Sequence, residues 1–278
     1  MNGFGERLRA AKRTRGPLCV GIDPHEELLA RWGLPDDAEG LHEFGQTVVD
    51  ALADRVAIFK PQSAFYERFG SRGIAALEET IRHLRRAGAL VLLDVKRGDI
   101  GSTTAGYAAA YLAPNHPLCV DAITANPYLG VGALRPMFEL ARGHGGGVFV
   151  LAQTSNPEAV TIQHARLADG RSVAQSVVDE ISQLNEGFAA GSFGVVVGAT
   201  TAAHRLSLAD LGGPILTPGL GAQGATAEDL AIAFDGVLDD VLPSYSRQIL
   251  LGGPSVAGLR QAHERALGAC QRVLAGAC

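Results

Sequence analysis

The residues best placed to do chemistry lie in one run, Asp94-Val95-Lys96-Arg97-Gly98-Asp99-Ile100-Gly101-Ser102-Thr103. It follows Ala89-Leu90-Val91-Leu92-Leu93, an apolar stretch with the character of a strand buried on both faces. Side chains two apart on a strand point the same way, so Asp94 and Lys96 share a face. Gly98 is expected to let the chain turn, and Ser102 or Thr103 to cap a helix beginning near Thr104. Four charges within six residues are expensive to desolvate unless they pair with one another. A surface ion-pair cluster is the plainer reading. An alternating acid-base-acid row at the carboxyl end of a parallel strand, however, is where α/β proteins keep their chemistry.

Such a row needs a scaffold, and the rest of the chain supplies one. The protein has 278 residues, 47% of them hydrophobic, with 35 glycines and a formal net charge of -5. That is ample material for a core. The mild acidity argues against nucleic acid or an anionic membrane as partner. Cys19, Cys119, Cys270 and Cys278 show no paired spacing, so neither a disulfide framework nor a zinc site is expected. The eight histidines lack ligand spacing such as HxxxH and read as surface or packing residues. Met1 to Lys12 is amphipathic and charged rather than a signal sequence, and no apolar run reaches membrane-spanning length. A reducing cytoplasm is the expected setting.

Strand and helix patterns alternate along the chain. Phe4, Leu8 and Ala11 share a helical face, giving a leading helix suited to plug one end of a barrel. Strands are expected at Leu18–Ile22, Val56–Phe59, Ala89–Leu93, Val120–Thr124, Gly147–Leu151, Gly194–Val197, Pro214–Thr217 and Val241–Ser246, the last interrupted by Pro243. Between them lie amphipathic helices, such as the one carrying Leu41, Phe44, Val48, Val49 and Leu52. A poorly defined helix is expected around His204 to Leu211, and Glu158 to Gly170 reads as a long excursion. Thr226 to Asp229 has the spacing of a capping box. Eight strand-helix units without a linker imply one domain over residues 1–278, a single (β/α)8 TIM barrel with a short N-terminal helix. A doubly wound open sheet is the alternative, but the first strand-helix turn has no GxGxxG.

Polar residues collect where those strands end: Asp23, Lys60, Asp94, Lys96, Asp99, Asn126, Ser155, Thr200, Gln223 and Arg247. For Asn126 and Thr200 an ordinary strand-terminating role is favoured. As a set, the residues converge on the barrel face that carries active sites. Pro218-Gly219-Leu220-Gly221-Ala222-Gln223-Gly224-Ala225 lets backbone N–H groups approach an anion, and a following helix adds favourable potential. Arg247, after strand eight, suits a bidentate phosphate contact.

The pattern Asp-x-Lys-x-x-Asp-Ile-x-x-Thr on strand three, with a lone Lys ending strand two, resembles orotidine 5'-phosphate decarboxylase. Phe59-Lys60-Pro61-Gln62-Ser63-Ala64-Phe65-Tyr66-Glu67 and Asp94 to Gly101 are similar to the longer bacterial (type 2) branch, and Thr217 to Gly224 to the family's phosphate loop. One position departs: Gln248 stands where the family often has Gly. The resemblance implies cofactor-free loss of CO2 from orotidine 5'-phosphate to give UMP in pyrimidine biosynthesis. It implies that Lys60, Asp94, Lys96 and Asp99 form the catalytic charge network, with Asp99 and Thr103 given to the neighbouring subunit of a homodimer. It further implies Asp23 on ribose hydroxyls, Ser155 on the pyrimidine, and Gln223 with Arg247 on the phosphate.

Other chemistries fit less well. A related barrel group handles sugar phosphates through a metal-bound enediolate and shares Asp-x-Lys-x-x-Asp, but its strand two typically ends in Glu. Lys60 would repel the metal. A Schiff-base aldolase needs a lysine in apolar surroundings, whereas Lys60 and Lys96 have acidic neighbours in prospect. A non-catalytic phosphate binder would leave the buried charge row unexplained.

Overall fold

The computed structural model describes residues 2–199, 206–221 and 224–275. Eight strands, β1 (Cys19–Ile22), β2 (Ile58–Pro61), β3 (Leu90–Arg97), β4 (Ala122–Ala125), β5 (Gly147–Gln153), β6 (Phe193–Val197), β7 (Ile215–Thr217) and β8 (Val241–Tyr245), lie in chain order. Each pairs in parallel with the next, and β8 returns to β1, closing the barrel. The helices are α1 (Phe4–Arg15), α2 (Glu26–Trp32), α3 (Ala38–Leu52), α4 (Ser63–Glu67), α5 (Gly70–Arg86), α6 (Gly101–Leu112), α7 (Arg135–His144), α8 (Val160–Gln163), α9 (Val173–Asn185), α10 (Ala227–Ala233), α11 (Arg247–Leu250) and α12 (Val256–Ala275). No helix among the described residues is long and apolar enough to cross a membrane.

Side-chain alternation divides the core in two. Val20, Phe59, Val91, Leu93, Ile123 and Val150 point outward and pack under the helices. Cys19, Ile58, Leu92, Ala122, Phe149, Val196, Leu216 and Leu242 point inward and fill the amino-terminal half of the barrel. α1 closes that end as its apolar face suggests: Phe4 and Leu8 join the inner cluster, and Phe4 meets Phe149 edge-on at 5.8 Å. Its polar side is tied down as well. Arg7 pairs with Asp121, and Lys12 Nζ donates to the carbonyls of Asp239 and Val241 at 2.6 and 2.8 Å. With the lower half sealed and apolar, the inward positions above it are free to be polar.

The structure departs from the sequence-based expectations in several places. β2 runs on through Pro61, so Lys60 is a strand residue. Pro243 is accommodated within β8, opposite Thr217. α6 begins at Gly101 with Ile100 at its N-cap, so neither Ser102 nor Thr103 caps it. Instead Asp99 Oδ1 accepts the Ile100 N–H at 2.7 Å. Gly98 does not supply the turn either: the left-handed residues are Lys96 (φ 43°) and Gly101 (φ 52°). Gly98 is required by close approach, because a β-carbon there would collide with the Asn126 carbonyl. Of the helix expected over His204 to Leu211, residues 204 and 205 lie outside the described residues, and 206–211 are irregular. The excursion after β5 folds into a 3-10 turn (Pro157–Ala159), α8 and an antiparallel bridge between Arg166 and Ser172. Ser172 then caps α9 by accepting the Gln175 N–H.

Candidate active site

The alternation that fills the lower barrel continues upward and sets the site. One step above Cys19, Ile58, Leu92 and Ala122, the inward positions of β1 to β4 are Gly21, Lys60, Asp94 and Thr124; Asp23 and Lys96 follow a step higher. Asp94 is the hub. Its Oδ2 accepts from Lys60 Nζ at 3.1 Å, while its Oδ1 accepts from Lys96 Nζ at 2.6 Å and Thr124 Oγ1 at 2.8 Å. Lys60 Nζ lies also 3.4 Å from Gln62 Oε1. The Lys60 and Asp94 side chains are each 8% exposed, that of Lys96 45%. Lys96 is therefore the member of the row that faces the open mouth.

The charges hold one another. Burial alone would push the Asp94 carboxyl up, but the Lys60 and Lys96 ammonium groups and the hydrogen bonds from Lys96 and Thr124 outweigh it. The group is held at about 2. Burial likewise pushes Lys60 down, and Asp94 and Asp23 more than reverse it, so Lys60 stays cationic. Below it, burial raises the Cys19 thiol to about 12, leaving no competing anion at neutral pH.

Asp23, at the end of β1, contributes a buried oxygen, Oδ1, that has no hydrogen-bond partner among the described residues; Ser246 Oγ, just after β8, is another. Ser155 reaches the end of β6, where a β-carbon on Gly198 would stand 3.2 Å from its own. Arg247 opens α11 with its side chain 47% exposed and, among the described residues, a distant partner in Glu27 at 3.8 Å. The Gly-rich loop between β7 and α10 turns through left-handed Gly219, Gly221 and Gly224. The Gln248 side chain packs on Gly221, its amide oxygen standing where a β-carbon would sit, and joins this loop to α11. Gln223 and Thr200 lie outside the described residues.

The amino terminus of α10 is less available to an anion than the sequence suggests. Thr226 and Asp229 form the expected capping box, each side chain accepting the other residue's N–H, and place a carboxylate there. Asp99 and Thr103 are not brought to the charge row of their own barrel: Asp99 is bound to the Ile100 N–H, and Thr103 is exposed on α6. Asn126 keeps the expected strand-ending role, its Oδ1 accepting the Tyr128 N–H at 3.1 Å. Thr124 was not singled out from the sequence, yet it touches both the carboxylate and, at 2.9 Å, the Lys96 N–H. Its parity with Ala122 on an inward-facing strand was the available signal. Among the described residues, no three of His, Cys, Asp or Glu are grouped so as to hold a metal ion.

A closed eight-stranded parallel barrel with two lysines and an aspartate paired at the carboxyl ends of its strands has the architecture of the α/β-barrel enzymes. Residues 16–252 match the Orotidine 5'-phosphate decarboxylase / HUMPS family. An orotidine 5'-phosphate decarboxylase of Salinispora arenicola is 64% identical over 277 residues, covering 99% of this chain and all of that one. That of Streptomyces coelicolor is 56% identical, covering 95% and 96%. A crystal structure from Streptomyces avermitilis, described by the same enzyme name, superposes with a TM-score of 0.96 at 53% identity, over 99% of this chain and 97% of that one. The chain belongs to the orotidine 5'-phosphate decarboxylase family, on its longer bacterial branch.

Proposed function

We propose that the protein converts orotidine 5'-phosphate to UMP and CO2, a step of pyrimidine biosynthesis, with Lys60, Asp94, Lys96 and a partner's Asp99 as its charge network. The observation that carries this reading is a buried carboxylate shared by two lysines, one of them facing the open mouth. Decarboxylation breaks the bond from C6 to the carboxyl carbon and leaves the electron pair on C6. The Lys96 ammonium stabilises that charge as it forms and then delivers its proton to C6. Asp94, ionised at neutral pH, sits beside the substrate carboxylate and repels it, which favours release of neutral CO2. Lys60 balances the aspartates and reaches the ribose. Asp23, with its unpartnered Oδ1, accepts from ribose hydroxyls, and Ser155 reads the pyrimidine. Arg247 and Gln223 hold the phosphate beside the Gly-rich loop, and binding energy from that non-reacting group is used at C6.

The site is completed across a homodimer, Asp99 and Thr103 entering the neighbour's barrel. Ile100, Tyr128 and Leu129 support this. They are 62%, 72% and 54% exposed on two adjacent loops that touch at Gly98 and Asn126, an apolar patch suited to self-association. The whole chain acts as one catalytic domain. A cytoplasmic setting suits the free thiols of Cys19, Cys119 and Cys270.

The test is the near-ultraviolet absorbance of orotidine 5'-phosphate mixed with purified protein in the presence of a chelator. A fall is expected with the native chain and none with Lys96→Ala, which should still bind UMP. Turnover that survives in Lys96→Ala removes it as proton donor, and turnover lost only to the chelator points to metal chemistry.

A further inference from the structure

Lys96 and Asn115 are the only non-glycine residues with positive φ among the described residues. For a residue with a β-carbon that conformation is strained and persists only where its surroundings enforce it. At Lys96 it coincides with the register shift between β3 and β4, from Leu93 to Arg97. On one side the enforcement is plain: the Lys96 N–H donates to Thr124 Oγ1 at 2.9 Å, and the Arg97 carbonyl accepts the Asn126 N–H at 2.8 Å.

The other side is held by the Arg97 side chain. Its Nη1 reaches back past Lys96 to the Val95 carbonyl at 3.2 Å, and its Nη2 donates to Glu67 Oε1 at 2.7 Å. That same oxygen accepts from the buried Ser63 Oγ at 2.6 Å. The guanidinium also lies over the Tyr107 ring, 5.6 Å from its centroid. Ser63 and Glu67 belong to α4, which starts three residues after Lys60. Arg97 thus fastens the peptide before Lys96 to the helix that leaves the Lys60 strand. Its partners among the described residues are backbone, α4 and the α6 tyrosines Tyr107 and Tyr111, not the lysines and aspartate of the charge row.

We propose that Arg97, held by Glu67, is a positioning residue that keeps Lys96 in its left-handed conformation and so sets where its ammonium group stands relative to C6. This rests on the reading of Lys96 as proton donor. A misplacement of about 1 Å at a reacting group costs on the order of 100-fold. Arg97→Ala should therefore lose about 10- to 100-fold in kcat, with little change in KM, because Arg97 itself holds neither phosphate nor ribose. Guanidinium ion added at non-denaturing concentration should restore part of the kcat of Arg97→Ala and none in the native enzyme, and Arg97→Lys should lie between the two.

Glu67→Gln is the companion variant. It leaves an acceptor for Arg97 but removes the charge, and a smaller fall in kcat at constant KM is expected even where Arg97→Ala does not fold. Native kcat in a folded Arg97→Ala or in Glu67→Gln, or a lowered melting temperature as the sole effect, overturns the proposal. Lys96→Ala assayed alongside separates the two readings. If it stays active the proton-donor role fails; if it is dead while the Arg97 and Glu67 variants turn over normally, only the clamp fails.

Discussion

The hydroxyl of Thr124 shows how much a single inward position decides. It is 1% exposed and joins the Asp94 carboxylate to the backbone of Lys96, so it bonds to two groups that must keep their places. Thr124→Val keeps the shape and removes both bonds, leaving the part-buried Lys96 N–H unpaired and taking one donor from the buried carboxylate. Leaving a buried group unpaired costs about 1–3 kcal/mol. The variant should unfold at correspondingly lower urea and turn over more slowly, and an unchanged urea midpoint with native kcat would show that neither bond matters. Asp94 and Lys96 were legible in the sequence because four charges after a buried strand demand pairing, and Lys60 because it stands alone at the end of the preceding strand. Thr124 was not, because a threonine in a β-strand is ordinary until strand parity and neighbours are known. The clamp of Glu67 on Arg97 was hidden for another reason: the two lie thirty residues apart on different elements.

At the scale of elements, the alternation of strand and helix, the apolar face of α1 and the capping box of α10 could all be read from local periodicity. What local patterns do not carry is where segments distant in the chain press together. Gly98 against the Asn126 carbonyl joins two loops, and Gly221 under the Gln248 side chain joins a loop to α11. The second contact bears on the phosphate, since it places α11 and Arg247 beside the Gly-rich loop. Arg247→Ala should weaken binding of orotidine 5'-phosphate far more than that of the unphosphorylated nucleoside, by about 2 kcal/mol, the scale of a charge-assisted hydrogen bond. Equal losses for both ligands, measured by titration calorimetry, would move the phosphate away from α11. Helix packing sets a pH limit too. His263 on α12 is buried with neither ring nitrogen partnered among the described residues. Burial first, then Arg55, holds it below 6.5, against weaker pulls from Glu264 and Asp54. The unfolded chain therefore binds the extra proton in the window below 6.5, and stability contributed by the neutral ring is lost as pH falls through it. The native urea midpoint should drop between pH 7 and 5, and His263→Leu should drop less; parallel curves would clear His263 of the effect.

At the scale of the whole molecule, the proposed charge row takes its second aspartate from a partner barrel. Asp94 is matched against two lysines, while Asp99 Oδ1 accepts the N–H of Ile100, the next residue in the chain. Asp99 and Thr103 lie beside exposed Ile100, and Tyr128 and Leu129 are on the adjoining loop. A patch of this kind at the mouth, if it meets its own copy about a twofold axis, carries Asp99 into the partner's barrel and the partner's Asp99 into this one. Dimerisation is then part of catalysis, and the consequence can be measured by mixing defects. Lys96→Ala and Asp99→Ala proteins should each be inactive alone. After subunit exchange, a mixed dimer holds one site with both defects and one site in which Lys96 and Asp99 are both intact. Random exchange of equal amounts makes about half the dimers mixed, each with one working site of two, so roughly a quarter of the native activity should return if the sites act independently. Native mass spectrometry of the mixture reports the exchange itself. Full exchange without recovered activity would put Asp99 to work in its own barrel and leave the exposed loops with no catalytic reason to meet.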